Sequence, residues 1–228
     1  MRTFISSILL LLLTCATYSQ QLSQVSFAGG ATLTSIAIMT DDNVLIRISE
    51  DGKIIETGIE LQSLRSSNYY APNLQPYMGR MEYYSLEADS VNRGKLKSIG
   101  ACMLTYYGQF EVAEKIGKLK SVGIISFDYY SSYENTILKG KLKFVGSLMM
   151  EYYSPFEDQA FKGKLKSIGS TIITYYSYFD DKLIRGKIKN IAGVSYKWYT
   201  SLDGINFGGG LKSGLQRQHI SGVTFIVQ

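Results

Sequence analysis

Gly94-Lys95-Leu96-Lys97-Ser98-Ile99-Gly100 is the stretch that decides the fold, because the chain keeps returning to it. Gly117–Gly123 reads Gly-Lys-Leu-Lys-Ser-Val-Gly, Gly140–Gly146 reads Gly-Lys-Leu-Lys-Phe-Val-Gly, and Gly163–Gly169 repeats the first copy letter for letter. Gly186–Ala192 is a looser copy, and Gly209–Lys212 keeps only Gly-Gly-Leu-Lys. The starts at 94, 117, 140, 163, 186 and 209 are 23 residues apart, with no insertion. A second signature keeps the same beat: Tyr83-Tyr84, Tyr106-Tyr107, Tyr129-Tyr130, Tyr152-Tyr153, Tyr175-Tyr176 and Trp198-Tyr199. A fixed period of this size marks a repeat architecture, in which each unit buries its apolar face against its neighbours.

One unit reads as two strands. The first, Lys164–Ile168, is bracketed by Gly163 and Gly169; the second, Thr171–Tyr176, runs into a loop of about nine residues. Alternate positions of the second strand are Cys102, Leu104 and Tyr106, then Ile125, Phe127 and Tyr129, then Leu148, Met150 and Tyr152, then Thr171, Ile173 and Tyr175. This period-2 apolar column is a β signal and marks the core face. The opposite face is expected to carry Thr105, Asp128, Glu151, Thr174 and the second tyrosine of each pair. In the first strand Leu96 and Ile99, and their mates, stand three apart, which a regular strand would point to opposite faces. A bulge near the second glycine is expected to reconcile them. The loops carry an aromatic anchor, Phe110, Tyr133, Phe156 and Phe179, followed by an acid, Glu111, Glu134, Glu157, Asp180 and Asp203.

Electrostatics chooses how the units stack. As coils of a solenoid, equivalent lysines would sit about 4.8 Å apart, one strand spacing. As hairpins of an antiparallel meander they lie roughly 10 Å apart, beyond the Debye length of about 8 Å at physiological salt. The meander is therefore expected: an all-β, elongated sheet of up to about a dozen repeat strands, twisted or curled. Closure into an outer-membrane barrel is the lesser alternative, since the Lys-x-Lys strand is short and wrongly charged to face lipid.

The ends of the chain complete the plan. Met1–Ser19 has a basic start, an unbroken apolar run at Ile8–Leu13 and small residues near Ser19, the pattern of an export signal. Cys15 offers a less favoured lipoprotein reading. Removing Arg2 with the leader takes the 24 basic residues to 23 against 19 acidic, a net +4 that does not itself point to nucleic acid. One cysteine, Cys102, then remains, so no internal disulfide can form. Residues 20–70 read as an N-terminal β cap and linker, with strands at Gln24–Ala28, Thr32–Met39, Val44–Ile48 and Lys53–Ile59 and an Asp51-Gly52 turn. Such a cap covers an otherwise unpaired strand edge. Ser63–Pro76 reads as a loop. The hairpin array occupies 71–228, with a degenerate unit near 71 and the later starts at 94, 117, 140, 163, 186 and 209; Gly209–Gln228 is expected to close it. No stretch after the leader is long and apolar enough for a transmembrane helix.

Gly-Lys-Leu-Lys-Ser-Ile-Gly, then five residues, Tyr-Tyr and a Phe-Asp/Glu loop, preceded by Tyr77-Met78-Gly79-Arg80-Met81-Glu82-Tyr83-Tyr84, resembles a group of uncharacterised exported bacterial proteins with the same hairpin repeat. The resemblance covers about 40–228 and implies the architecture but no activity. A fainter likeness to MORN repeats lies in the unit length and the hairpin, while the MORN pattern of Tyr-x-Gly-x-Trp is absent.

Chemistry finds little purchase. His219, the single histidine, has no acid or nucleophile placed beside it, and Cys102 fills a core column. The acids do not converge as calcium requires, with Glu157-Asp158 and Asp180-Asp181 nearest to doing so. The glycines lack a following helix and read as turn glycines, not phosphate cradles. No enzyme activity, cofactor or metal is expected. What remains is a strip of Lys95, Lys97, Lys118, Lys120, Lys141, Lys143, Lys164 and Lys166 with outward Tyr107, Tyr130, Tyr153 and Tyr176. Two readings stay open. The lysines keep a long sheet soluble and unpaired at its edges while the tyrosines stabilise it, which suits a non-enzymatic envelope scaffold or interaction protein in the periplasm or outside the cell. Alternatively the strip binds an anionic glycan, lipopolysaccharide or membrane surface; nucleic acid is a less fitting partner for an exported chain.

Overall fold

Strands of four or five residues, separated alternately by two-residue turns and by long loops, run through most of the chain. The computed structural model describes residues 21–60, 73–134, 136–204 and 207–228. The expected leader at 1–19 with Cys15, and most of the Ser63–Pro76 loop, lie outside the described residues. The first strands are β1 (Gln21–Ala28), β2 (Thr32–Met39), β3 (Leu45–Ile48) and β4 (Ile54–Gly58). The array follows as β5 (Met81–Tyr83), β6 (Leu96–Ile99), β7 (Cys102–Tyr106), β8 (Leu119–Val122), β9 (Ile125–Tyr129) and β10 (Leu142–Val145). It continues with β11 (Leu148–Tyr152), β12 (Leu165–Ile168), β13 (Thr171–Tyr175), β14 (Ile188–Ile191) and β15 (Val194–Ser195). β16 (Lys197–Trp198) and β17 (Leu211–Ser213) form a separate pair, and β18 (Arg217–Ile220) and β19 (Val223–Val227) end the chain.

β5 to β15 make one 11-stranded antiparallel sheet in strict sequence order, the expected hairpin meander, and it does not close into a barrel. Each hairpin turns on two residues. Gly100, Gly123, Gly146 and Gly169 take the first turn position with φ between 53 and 58°, a left-handed conformation that costs glycine nothing and suits the type II′ turn. In the looser copy Ala192 and Gly193 both have positive φ, the type I′ solution to the same two-residue connection.

The expected bulge exists, but at the second lysine of each motif, not at the second glycine. Pairing steps from Ser98 to Leu96, Ser121 to Leu119, Phe144 to Leu142, Ser167 to Leu165 and Asn190 to Ile188, passing over the lysine between. One residue dropped from a three-residue interval restores even spacing, so Leu96 and Ile99 reach the same face. That face is the core: Leu119, Val122, Leu142, Ile188 and Ile191 are fully buried.

The ends of the chain depart from a linear array with a cap. β18 and β19 leave the repeats, and β19 pairs in parallel with β1, giving a six-stranded sheet in the order β18-β19-β1-β2-β3-β4. Of Gly209–Gln228, expected to close the array, β17 pairs with β16 and only Arg217–Val227 joins the N-terminal sheet. This sheet lies along the array and shares one core with it. Val25, Phe27, Ile36, Ile38, Ile46, Ile48 and Phe225 pack in the same cluster as Leu104, Phe127, Met150 and Ile173. The apolar alternation of β2 and of the repeats thus meets face to face.

The two layers are also stitched by backbone hydrogen bonds. The Leu119 amide donates to the Gly52 carbonyl (3.4 Å), Leu142 to Glu50 (2.8 Å) and Ile188 to Gly30 (2.6 Å). The donors belong to equivalent positions of three units, next to the bulge. Gly30 is held so close that a Cβ there would lie 1.9 Å from the Trp198 ring. Across the far side of the smaller sheet, Glu60 accepts two hydrogen bonds from Arg217 (2.8 and 3.1 Å) and one from Gln24 (2.9 Å). The strands nearest its two edges are thereby tied together.

Candidate functional site

The lysines and tyrosines expected to form a ligand strip are wired into the array. In the first column, Lys95 donates to the carbonyl of Gly117, Lys118 to Gly140, Lys141 to Gly163, Lys164 to Gly186 and Lys187 to Gly209. Each of these ammoniums also sits over the first aromatic of its own unit: Tyr106 at 4.9 Å, Tyr129 at 4.8 Å, Tyr152 at 5.0 Å, Tyr175 at 5.4 Å and Trp198 at 4.7 Å. Burial pushes Lys95, Lys118, Lys164 and Lys187 below the ordinary lysine range. The column is a set of clamps between consecutive units.

The second column leans over the second tyrosines. Lys120 lies 5.4 Å from the Tyr107 ring, Lys143 5.6 Å from Tyr130 and Lys166 5.2 Å from Tyr153. Lys143 pairs with Glu134, Lys166 with Glu157 at 3.2 Å, and Lys97 lies 3.9 Å from Glu82. The tyrosines beneath do not face outward as expected: Tyr130 and Tyr153 are buried, and Tyr107 and Tyr176 half-buried. Their hydroxyls donate to the next unit, Tyr107 to Phe127, Tyr130 to Met150, Tyr153 to Ile173 and Tyr176 to Tyr196. Each of Tyr107, Tyr130 and Tyr153 also meets the first tyrosine of the following unit edge to face, at about 6 Å. The reason is the bulge, which rotates the strand end and brings the second tyrosine inward under the next hairpin.

The loop aromatics behave the opposite way. Phe110, Tyr133, Phe156 and Phe179 were expected as anchors, yet they are 92 to 96% exposed, and Leu202 continues the row at 94%. Their positions are again 23 apart, and all lie on loops along one long edge of the sheet; the two-residue turns line the other edge. Hydrogen bonds of the residues beside them fix one or both flanks of each position, both at Phe179 and Leu202. After it, the acid folds back: Glu134 accepts from the Ser131 amide, Glu157 from Ser154, Asp180 from Ser177 at 2.6 Å and Asp203 from Thr200 at 2.8 Å. Before it, Gln109 donates to Asp89 of the preceding loop (2.9 Å), Tyr178 to Asp158 (2.9 Å) and Ser201 to Asp181. The hydrogen bonds to Asp203 from Lys212 and Thr200 hold its carboxyl down at about 2. A polar loop that hydrogen-bonds on itself or on the preceding loop leaves the apolar side chain between those contacts nowhere to pack.

The remaining candidates for chemistry are placed as follows. Cys102 is buried, with its thiol pushed up to about 11 by desolvation. His219 lies on β18, 3.3 Å from Thr224 across the strand pair. Between the sheets, a cavity of about 310 Å³ is lined by Gly52, Ile54, Lys95, Leu96 and Tyr106, and a smaller one of about 130 Å³ by Leu33, Glu50, Lys141 and Leu165. They occur at the two units whose leucines, Leu96 and Leu165, stand where Leu119, Leu142 and Ile188 are stitched to the other layer. Burial raises Glu50 despite the opposing pull of Lys141 at 3.0 Å. Among the described residues no three His, Cys, Asp or Glu side chains converge to hold a metal ion, and no helix is long and apolar enough to cross a membrane.

The sequence points to Phe110, Tyr133, Phe156 and Phe179 as anchors, because an aromatic at a fixed repeat position looks like core, and it does not single out Leu202. The available signal was their setting, an acid directly after and, in every copy but the first, a Ser or Thr two residues before. Comparison with family models, with curated proteins and with solved structures finds no match to this chain.

Proposed function

We propose that this protein is a non-enzymatic, exported repeat scaffold that works by interaction at the cell envelope, through the loop edge of its array. One observation carries the reading: the repeated lysines and tyrosines have partners inside the fold, whereas the repeated loop aromatics have none of their bulk covered. A large ring exposed above nine-tenths is ordinary once; four such rings in register, with Leu202 continuing the row, are a surface kept for contact. The buried thiol of Cys102 and the cross-strand pairing of His219 fit a scaffold better than an active site. An anionic glycan, lipopolysaccharide or membrane surface on the lysine strip would have to compete with carbonyl, carboxylate and ring partners already in place.

Co-sedimentation of the purified protein with cell-wall sacculi, lipopolysaccharide and anionic vesicles, at low and high salt, tests this. The expected result is retention on an envelope fraction that survives high salt and is lost when Phe110, Tyr133, Phe156 and Phe179 are changed to Ser. Retention that vanishes in salt and depends instead on Lys97, Lys120, Lys143 and Lys166 would move the site to the lysine strip. No retention on any fraction would remove the envelope role.

A further inference from the structure

The loop edge has a geometry that selects among partners. Consecutive rings are displaced by two strands, about 9.6 Å, and no ring–ring contact joins Phe110, Tyr133, Phe156 and Phe179 to one another. A protein interface buries a contiguous apolar core, and a bilayer takes up a continuous apolar face; isolated rings at a regular interval supply neither. Every member of the row is followed by a carboxylate, Glu111, Glu134, Glu157, Asp180 and Asp203. Sinking the rings into a membrane would drag those acids, with the lysines that pair Glu134, Glu157 and Asp203, into the headgroup region at a desolvation cost.

A ring with an acceptor beside it, repeated along a line, suits a chain of pyranoses. The apolar C–H face of a sugar covers an aromatic ring, while carboxylate oxygens accept from its hydroxyls. In an extended β-1,4-linked chain, alternate sugars present the same face, and the disaccharide step matches the two-strand step of the array. We propose that Phe110, Tyr133, Phe156 and Phe179 form a linear platform for a neutral β-1,4-linked glycan, each ring stacking on every second sugar. This rests on the scaffold reading above and names its ligand class. Glu111 and Asp180, which form no salt bridge with a lysine among the described residues, argue for a neutral chain over an anionic one, and the lysines paired with Glu134, Glu157 and Asp203 are not free to recruit an anion. The hydrogen bonds from Gln109 and Tyr178 to the preceding loops, and the back-folded acids, hold the platform in shape before the ligand arrives, which lowers the ordering cost of binding.

Affinity electrophoresis of the full protein in hydroxyethyl cellulose, and titration with cello- and chito-oligosaccharides, test the proposal; dextran and zwitterionic or anionic phospholipid vesicles run as controls. Retardation by the β-1,4 polymer but not by dextran is expected, with the two oligosaccharide series showing whether plain or N-acetylated sugars are preferred. Affinity should rise with chain length to about seven sugars, the span of four rings at the two-strand step. Phe156→Ser should weaken binding about fivefold, and the four-ring variant should abolish it. Because the four side chains are solvent-exposed, an unchanged melting curve of that variant shows that the loss is not misfolding. Absence of binding to both oligosaccharide series, or binding indifferent to the four rings, overturns the glycan assignment. If the rings are instead needed for retention on vesicles, with neither oligosaccharide series bound, the glycan assignment fails while the scaffold reading stands. If the protein is retained by no envelope fraction and by no glycan, both fall.

Discussion

At the scale of single residues, polar groups here earn their place through distant partners 20 or 22 positions along the chain. Lys118 reaches the Gly140 carbonyl while covering the Tyr129 ring, and Tyr130 reaches Met150. Tyr130→Phe should destabilise by about 1 kcal/mol, the net worth of one buried hydrogen bond, and Lys118→Met by about 1–2 kcal/mol, since a carbonyl loses its donor and a ring its cation. Chemical denaturation of each variant measures both. Burial raises the Tyr129 and Tyr175 hydroxyls far above the ordinary phenol range. Folding therefore favours their protonated form, a contribution present below about pH 10 and lost as pH climbs past the unfolded value. The buried tyrosines should ionise only as alkaline pH unfolds the protein, after exposed ones such as Tyr133; titration of all tyrosines with the fold intact would contradict this. Cys102, with its thiol at about 11, should resist alkylation at pH 8 until denaturant is added. The pairing of lysines with tyrosines was legible in the sequence as two columns on one beat. Their direction was not, because it depends on the bulge at Lys97 and its mates, and no residue type announces a bulge.

At the scale of the element, the hairpins and their faces could be read because glycine spacing and period-2 alternation are local signals. The core column Leu104, Phe127, Met150 and Ile173 is buried as expected. The loops were harder. Phe156 and Tyr153 look alike as repeated aromatics, yet one is exposed and the other buried; the difference lies in Glu157 folding back on Ser154, a contact between polar residues that hydrophobicity does not register. Two glycine substitutions separate local strain from close packing. Gly146→Ala meets only Ile125, at 3.7 Å, and carries a φ of 58°, so it should cost about 1 kcal/mol. Gly30→Ala has similar strain at φ 64° but drives into Trp198, and should cost several times more. Comparable melting temperatures for the two would contradict the close seating of the β1–β2 turn on the array.

The whole molecule is a repeat array whose length is set by a second sheet. The first four strands of the second sheet were legible one by one and β18 was not, and the parallel pairing of β19 with β1 joins residues about two hundred positions apart, a meeting of which sequence patterns carry no record. It has a consequence that an open-ended array lacks. Deleting residues 140–162 splices one unit to the next in phase, which a nearest-neighbour array tolerates at the cost of one unit's interfaces. Here the stitches Leu119–Gly52, Leu142–Glu50 and Ile188–Gly30 span fixed distances along β1 to β4. They cannot all be kept, so the melting temperature should fall by more than about 10 °C. A loss of only a few degrees would mean that the second sheet slides freely over the units.

The central claim is a division of labour: the motif lysines hold the array together, and the loop aromatics serve the outside. Thermal unfolding of two variants tests it most directly. Lys95, Lys118, Lys141 and Lys164 changed together to Gln should lower the melting temperature sharply, while Phe110, Tyr133, Phe156 and Phe179 changed together to Ser should leave it unchanged. A lysine variant that melts like the parent, or an aromatic variant that collapses, would contradict the account.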